Sequence, residues 1–140
     1  SQIASNNSIP LKGNAFISVK DKDKDKILLN AKKLIKFGFS LFATSGTARY
    51  LMSNGVKCKK INKVSQGSPH IVDKLSKKNI SLVINTTEGK NSIADSFSLR
   101  RTSLVNKVPY FTTIPAANAC LESIEALKKY PIKVRALQDN

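Results

Sequence analysis

Residues 41–51 are LFATSGTARYL, an apolar run followed by four small polar residues and then the apolar spacing of a helix. Residues 44–47 therefore stand where a buried strand ends and a helix begins. A glycine there lets the backbone approach a ligand, hydroxyls add donors, and the first amides of a helix lack intrahelical partners. The segment predicts a phosphate-binding site. Simple helix capping by Thr44 or Ser45 is the alternative.

Apolar residues along the rest of the chain alternate between strand-like runs and helical spacing. Strands are predicted over residues 15–19, 39–43, 56–61, 81–85 and 108–112. The helices between and after them are expected to bury Ile27, Leu28, Ala31, Leu34 and Ile35; Ala48, Leu51 and Met52; Ile93, Ala94, Phe97, Leu104 and Val105; and Ala116, Cys120, Ile124 and Leu127. Ser92 and Asp95 resemble a capping box that opens the third of these helices. This alternation predicts parallel strands in a three-layer α/β/α sandwich.

Ligands of such sheets bind at the carboxyl ends of the strands. The residues expected there are mainly hydroxyls, amides, glycines and lysines: Lys20, Lys22, Lys24, Lys26, Thr44, Ser45, Gly46, Thr47, Asn62, Lys63, Asn85, Thr86, Thr87, Glu88, Gly89, Lys90, Thr112 and Thr113. Carboxylates are rare in this set, so we predict a site that binds an anion and does not catalyse a reaction. The alternatives are a solvated turn at residues 85–87, a solvated face at residues 20–26, and surface or structural roles for Lys63 and His70.

The composition limits the class of function. A chain of 140 residues with a net charge of +15 attracts small anions, but only four of its 24 basic residues are arginines and it has no nucleic-acid-binding motif. Cys58 and Cys120 belong to no metal or redox motif. No apolar stretch is long enough to span a membrane, and no catalytic constellation or nucleotide-binding glycine motif is present. We expect a cytoplasmic domain with no metal, catalytic residue, nucleic-acid partner or membrane partner of its own.

Five blocks in this order resemble one family: AFISV at 15–19, LFATSGTARYL at 41–51, INKVSQGSPHIVDKL at 61–75, LVINTTEG at 82–89 and SLRRTSLVNKVPYFTT at 98–113. They are similar to the C-terminal allosteric domain of the carbamoyl-phosphate synthase large chain, a methylglyoxal-synthase-like domain. The resemblance runs from Gly13 to Arg135 and implies a Rossmann-like fold with a central five-stranded parallel sheet. We interpret residues 1–13 as a polar linker from a preceding part of a longer chain, residues 14–136 as the domain, and residues 137–140 as a tail.

The resemblance also implies where effectors bind. UMP inhibits and IMP activates bacterial members through one site, whose residues match Lys24, Thr44, Thr47, Lys63, Asn85, Thr86 and Thr87, and the TSGT segment adds Ser45. Ornithine activates at the boundary with the synthetase part, and its contacts match Tyr110 and Thr112. Phe111 between them is typically acidic in bacterial members.

The function implied by the resemblance is regulation of a larger ligase. The whole enzyme makes carbamoyl phosphate from bicarbonate, glutamine and ATP for pyrimidine and arginine biosynthesis, uses Mg or Mn and K, and pairs with a glutaminase small subunit. Methylglyoxal synthase and the N-terminal domain of IMP cyclohydrolase share the fold and are the alternatives. This chain has SQG at residues 65–67 where the synthase needs an aspartate, and NTT at 85–87 where the cyclohydrolase has a different motif.

Overall fold

The computed structural model of the chain describes residues 9–86 and 90–129, with side chains in the second range from residue 93 onward. Most of the predicted linker, residues 1–13, and all of the predicted tail, residues 137–140, lie outside these ranges. The part of the domain prediction that concerns residues 14–136 is described only up to residue 129.

One sheet of five parallel strands forms the centre of the fold, with the order β3-β2-β1-β4-β5. The strands are β1 (Gly13–Ser18), β2 (Phe39–Ala43), β3 (Lys59–Lys60), β4 (Leu82–Asn85) and β5 (Tyr110–Phe111). β1 lies in the middle and pairs with β2 and β4 on either side. The prediction of a five-stranded parallel sheet is confirmed.

Five helices connect and follow these strands. They are α1 (Lys24–Lys36), α2 (Ser45–Ser53), α3 (Ile71–Ser76), α4 (Lys90–Val105) and α5 (Ile114–Lys129). Short 3-10 helices occupy Asp21–Asp23 and Val64–Gln66. Gly38 and Gly55 follow α1 and α2 with φ of 102° and 81°, a backbone region that glycine adopts without strain. Each of these helices therefore ends just before a glycine in this conformation.

The period of two along each strand places alternate residues in different cores. Ile17 of β1 and Ile84 of β4 belong to a core with α1, α2 and α5. Phe16 and Val83, their neighbours in sequence, belong to a second core with α3 and α4. The sheet is thus covered on both faces, which confirms the three-layer architecture.

Four details of the predicted elements are wrong. β3 and β5 have only two residues each, instead of 56–61 and 108–112, because only Lys59 and Lys60 pair with β2 and only Tyr110 and Phe111 pair with β4 at the two edges of the sheet. Ile35 and Met52 were expected to face inward, but both are exposed. The 3.6-residue period carries each of them to the border of its helix's apolar stripe, where a small change of rotation decides burial.

The orientation predicted for α4 is also wrong. Phe97 is 72% exposed, whereas Leu99 is 4% exposed and belongs to the second core. The helix starts at Lys90, so Ser92 and Asp95 lie inside it and not at its N-terminus, where the capping box was predicted. The buried residues of α4 are Leu99 and Ser103, because this side of the helix packs against α3 and the sheet. The remaining expected core residues are exposed: Ile93, Ala94, Leu104 and Val105.

A matched pair of variants on α4 tests this orientation. Leu99→Ala should lower the free energy of unfolding by about 2–5 kcal/mol because it leaves a cavity in the second core. Phe97→Ala should change it by less than about 0.5 kcal/mol because the ring is in solvent. Urea unfolding followed by circular dichroism measures both, and a greater loss for Phe97→Ala would contradict the orientation.

Cys120 is buried in the core that contains α1, α2 and α5, and its burial predicts that the free energy of unfolding depends on pH. Desolvation raises the pKa of this thiol from 9.0 to about 11. The thiol ionises near pH 9 in the unfolded chain but only near pH 11 in the folded chain, so ionisation favours the unfolded chain between these values. Its contribution to the free energy of unfolding is therefore lost as the pH rises from about 9 towards 11. Cys120→Ala removes this titration. The stability advantage of the wild type over Cys120→Ala should therefore shrink across that range, and a pH-independent difference would contradict this.

Candidate functional site

Threonine hydroxyls from two different elements hold the end of β1. Thr47 Oγ1 accepts a hydrogen bond from the Val19 amide at 3.1 Å, and Thr86 Oγ1 accepts one from the Lys20 amide at 3.0 Å. A third hydroxyl, that of Thr44, pairs with Ser18 Oγ at 2.9 Å. All three threonines are buried. These predicted site residues therefore fix the Ser18 side chain and the backbone of residues 19 and 20, which form one rim of the site.

The start of α2 lies against this rim. Thr44 occupies the N-cap position without a capping side-chain hydrogen bond, since its hydroxyl pairs with Ser18. The first intrahelical bond runs from the Ala48 amide to the Thr44 carbonyl at 2.7 Å. Thr44 is thus the N-cap by position but does not cap the helix with its side chain, and Ser45 is wrong as an N-cap because it is already the first helical residue. The amides of residues 45–47 have no intrahelical acceptor and are available to an anion.

A polar cavity of about 370 Å³ opens between the start of α2 and the end of β1. Its lining contains four of the predicted effector residues together with neighbours of each: Ser18, Val19, Lys20, Asp21, Lys24, Thr44, Gly46, Thr47 and Lys63. Three lysines from two segments, Lys20 and Lys24 after β1 and Lys63 after β3, line this cavity. Positive charge and unpaired helix amides together favour a bound phosphate.

One carboxylate shares this anion-attracting cavity. Lys24 Nζ forms a hydrogen bond and an ion pair with Asp21, and this contact lowers the pKa of the Asp21 carboxyl. Asp21 is therefore charged at neutral pH and competes with an incoming anion for Lys24. The Asp21 side chain is 89% exposed, so it can turn into solvent when an anion takes its place.

A narrow cleft continues from the cavity to the space beneath α4. The two share Ser18, Thr44 and Lys63, and the cleft adds Phe16, Val64, Ile71, Asn85, Asp95, Ser96 and Leu99. Its volume of about 30 Å³ holds only one or two water molecules. Ser65 Oγ donates to Asp95 Oδ2 at 2.8 Å and ties the Val64–Gln66 segment to α4. A sugar or a base enters this cleft only if these two elements separate.

A third cavity, of about 200 Å³, lies on the other side of Asn85. It is lined by Asn85, Ile93, Ser96, Phe97, Arg100, Tyr110 and Thr112, so both residues predicted on the ornithine side are here. Asn85 Nδ2 donates to Ser96 Oγ at 2.9 Å and to Tyr110 Oη at 2.8 Å. Asn85 is therefore shared by the narrow cleft and the third cavity.

The structure brings together most of the predicted residues and adds others. Thr87, Glu88 and Gly89 lie outside the described residues. Ser18, the last residue of β1, was missed although its position at a carboxyl strand end is the signal that found its neighbours. Asp95 and Ser96 were missed as site residues because the wrong orientation of α4 obscured their side.

His70 has a structural role. It caps α3: its Nδ1 accepts from the Asp73 amide at 3.4 Å, and its own amide donates to Asp73 Oδ2 at 3.0 Å. The structural interpretation of His70 is thus confirmed. Within residues 9–86 and 90–129, no group of three or more His, Cys, Asp or Glu could hold a metal ion. Over the same ranges no helix has the length and apolar character to cross a membrane.

Comparison with solved structures shows the same fold in proteins of low sequence identity. The crystal structure of methylglyoxal synthase from Elizabethkingia anophelis matches with a TM-score of 0.62 at 20% identity. The match covers 81% of this chain and 79% of that chain.

Comparison with curated sequences gives much higher identity. The carbamoyl phosphate synthase large chain of Mesorhizobium japonicum is 47% identical over 139 residues, which is 99% of this chain and 12% of that protein. The C-terminal section of the large chain from Methanopyrus kandleri is also 47% identical over 139 residues, which is 26% of that protein. The chain therefore spans only a small part of the relatives it matches.

The family comparison matches residues 26–112 to the MGS-like domain. This range includes α1 from Lys26 onward and the start of α2. It contains the linings of the narrow cleft and the third cavity except Phe16 and Ser18, but only four of the nine residues that line the polar cavity. The chain belongs to the MGS-like domain family, in the form that is found in carbamoyl phosphate synthase large chains.

Proposed function

We propose that this domain regulates a glutamine-dependent carbamoyl-phosphate synthase by binding a nucleoside monophosphate, UMP as inhibitor or IMP as activator. The observation that carries the proposal is the lysine-lined cavity at the start of α2, in a domain similar to part of this enzyme's large chain. The domain itself contributes no catalytic residue in this proposal.

The phosphate would sit in the polar cavity. The amides of residues 45–47 donate to its oxygens, and Lys24 and Lys63 neutralise its charge. Hydrogen bonds to a charged group contribute about 1.5–3 kcal/mol each, so a few of them give micromolar binding. Thr44, Thr47 and Thr86 act chiefly by holding the rim, because their hydroxyls already bind residues 18–20.

The sugar and base would extend into the narrow cleft between Lys63 and α4. Because the cleft is about 30 Å³, nucleotide entry requires the Ser65 to Asp95 hydrogen bond to open and α4 to shift. Ligand binding is thereby tied to the position of a helix. An effector regulates the enzyme only if its affinity differs between two positions of that helix.

The remaining parts of the enzyme are expected outside this domain. The whole chain would make carbamoyl phosphate from bicarbonate, glutamine and ATP, with ATP, Mg or Mn and K bound by the synthetase part and glutamine hydrolysed by a small subunit. Ornithine would bind in the third cavity at Tyr110 and Thr112. Such an enzyme would act in the cytoplasm in pyrimidine and arginine biosynthesis.

The exposed side of α4 supports a contact with the synthetase part of the chain. Ile93, Phe97 and Leu104 lie at spacings of four and seven residues and expose their side chains on one side of the helix. Arg100 lies between them and contacts the Tyr110 ring. Clustered apolar side chains of this size are typical of contact surfaces. This side borders the third cavity, so a partner covering it would also close over an ornithine there.

Loss of cavity lysines should weaken nucleotide binding. Lys24→Ala and Lys63→Ala are each expected to lower the affinity for UMP about tenfold because a charge-assisted contact to phosphate is lost. Lys60→Ala is the matched control, since it removes the same charge from β3 outside the cavity lining. Isothermal titration calorimetry in phosphate-free buffer at fixed salt measures this. Equal losses of affinity in all three variants would mean that UMP is attracted by the overall positive charge and is not bound in this cavity.

Disruption of the α4 surface should uncouple regulation from binding. In the intact synthase chain, Phe97→Asp is expected to leave UMP affinity within about twofold while weakening the response of carbamoyl phosphate synthesis to UMP several-fold, because the new charge opposes docking. Leu29→Asp on α1 is the control, as that leucine is similarly exposed on the other face of the sheet. If carbamoyl phosphate synthesis by Phe97→Asp still responded normally to UMP, the contact between this domain and the synthetase part would lie elsewhere.

A further inference from the structure

Lys63 reaches the polar cavity and the narrow cleft from the loop that joins β3 to α3. Lys24 lines the same polar cavity, and its ammonium is held by Asp21. Lys63 has no such partner, since within the described part of the chain its ammonium forms no ion pair or hydrogen bond. The position of this long, flexible side chain therefore depends on how firmly its backbone is held.

The side chain of Gln66 holds the backbone of Lys63. Gln66 Oε1 accepts a hydrogen bond from the Lys63 amide at 2.7 Å, and the Gln66 amide donates to the Lys63 carbonyl at 3.0 Å. A backbone amide can only donate, so the atom of the Gln66 side chain that faces it is the oxygen. Gln66 thus binds both polar groups of the Lys63 backbone.

Neighbouring hydrogen bonds anchor the same loop. Asn62 Nδ2 donates across the loop to the Gly67 carbonyl at 3.2 Å. The Asn62 carbonyl accepts from the Ile71 amide at 3.0 Å and ties the loop to the start of α3. The loop is therefore fixed at both ends, and within it Gln66 is the residue that binds Lys63 itself.

We infer that Gln66 is a positioning residue of the effector site: it holds the Lys63 backbone so that the ammonium meets the phosphate in the polar cavity. This inference rests on the proposed function. Gln66 is exposed and is absent from the linings of the three cavities described above, so it acts on an anion through Lys63. It also keeps the Lys63 amide within the loop, since a donor bound to Gln66 is not available to a ligand.

Gln66→Met tests the inference because it keeps the length of the side chain and removes the acceptor. It should lower the affinity for UMP and for inorganic phosphate about threefold, and by no more than Lys63→Ala does. In a Lys63→Ala background the same change should have no effect, whereas in a Lys24→Ala background the loss should remain. A merely structural role would give the same loss in both backgrounds. Isothermal titration calorimetry at fixed salt measures all of these affinities.

Hydrogen exchange at the Lys63 amide gives a second readout. Exchange should be several-fold faster in Gln66→Met than in wild-type chain, because the amide has lost its acceptor. Asn54→Leu is the matched control, since it removes a side-chain amide that binds the Tyr50 carbonyl at the exposed end of α2. It should change neither the phosphate affinity nor the exchange of the Lys63 amide.

Three results would overturn the inference. The first is Gln66→Met that binds phosphate as tightly as wild-type chain or more tightly, which would mean that the bond to the Lys63 amide does not help an anion to bind. The second is an equal loss in the Lys63→Ala and Lys24→Ala backgrounds, and the third is unchanged exchange of the Lys63 amide. Wild-type chain that binds phosphate but not UMP would overturn the proposed function alone, because the phosphate titrations still decide the role of Gln66. Wild-type chain that binds neither would overturn both.

Discussion

The hydrogen bonds that hold the end of β1 are the constraint on which the site depends. β1 is the central strand, and its last residue and the two that follow are bound by Thr44, Thr47 and Thr86. These bonds join the exits of β1, β2 and β4 into one rim. Because buried polar groups without partners are costly, this arrangement has few alternatives. The rim in turn sets where the lysine side chains of residues 20–24 meet the start of α2.

The two cores have different consequences for function. The core with α1, α2 and α5 supports the polar cavity, where the strand exits and the start of α2 are fixed. The smaller core with α3 and α4 lies under the narrow cleft. In that core α4 is buried along Leu99 and Ser103 and exposes several large apolar side chains. α4 is therefore a cleft-lining helix that is buried along one line only.

Asn85 joins these two parts of the molecule. It ends β4, lines the cleft, and contacts both α4 and β5 through one amide. A ligand that contacts this side chain would respond to the positions of α4 and β5 together. Effects on the narrow cleft and effects on the third cavity are therefore expected to be linked, since both depend on the same hydrogen bonds.

The sequence by itself determined the layers, the parallel sheet and the polar character of its carboxyl ends, because apolar period and strand-exit residue types are local properties. It also identified Lys24, Thr44, Thr47, Lys63 and Asn85 as residues that meet at one edge. Only the tertiary structure decided that the threonines hold the protein's own backbone, that Asn85 is turned towards Tyr110, and that Phe97 faces solvent while Leu99 is buried. These facts depend on which neighbour packs against each side of an element. That is a matter of contacts between residues distant in sequence, which the local pattern of α4, apolar on several sides, cannot specify.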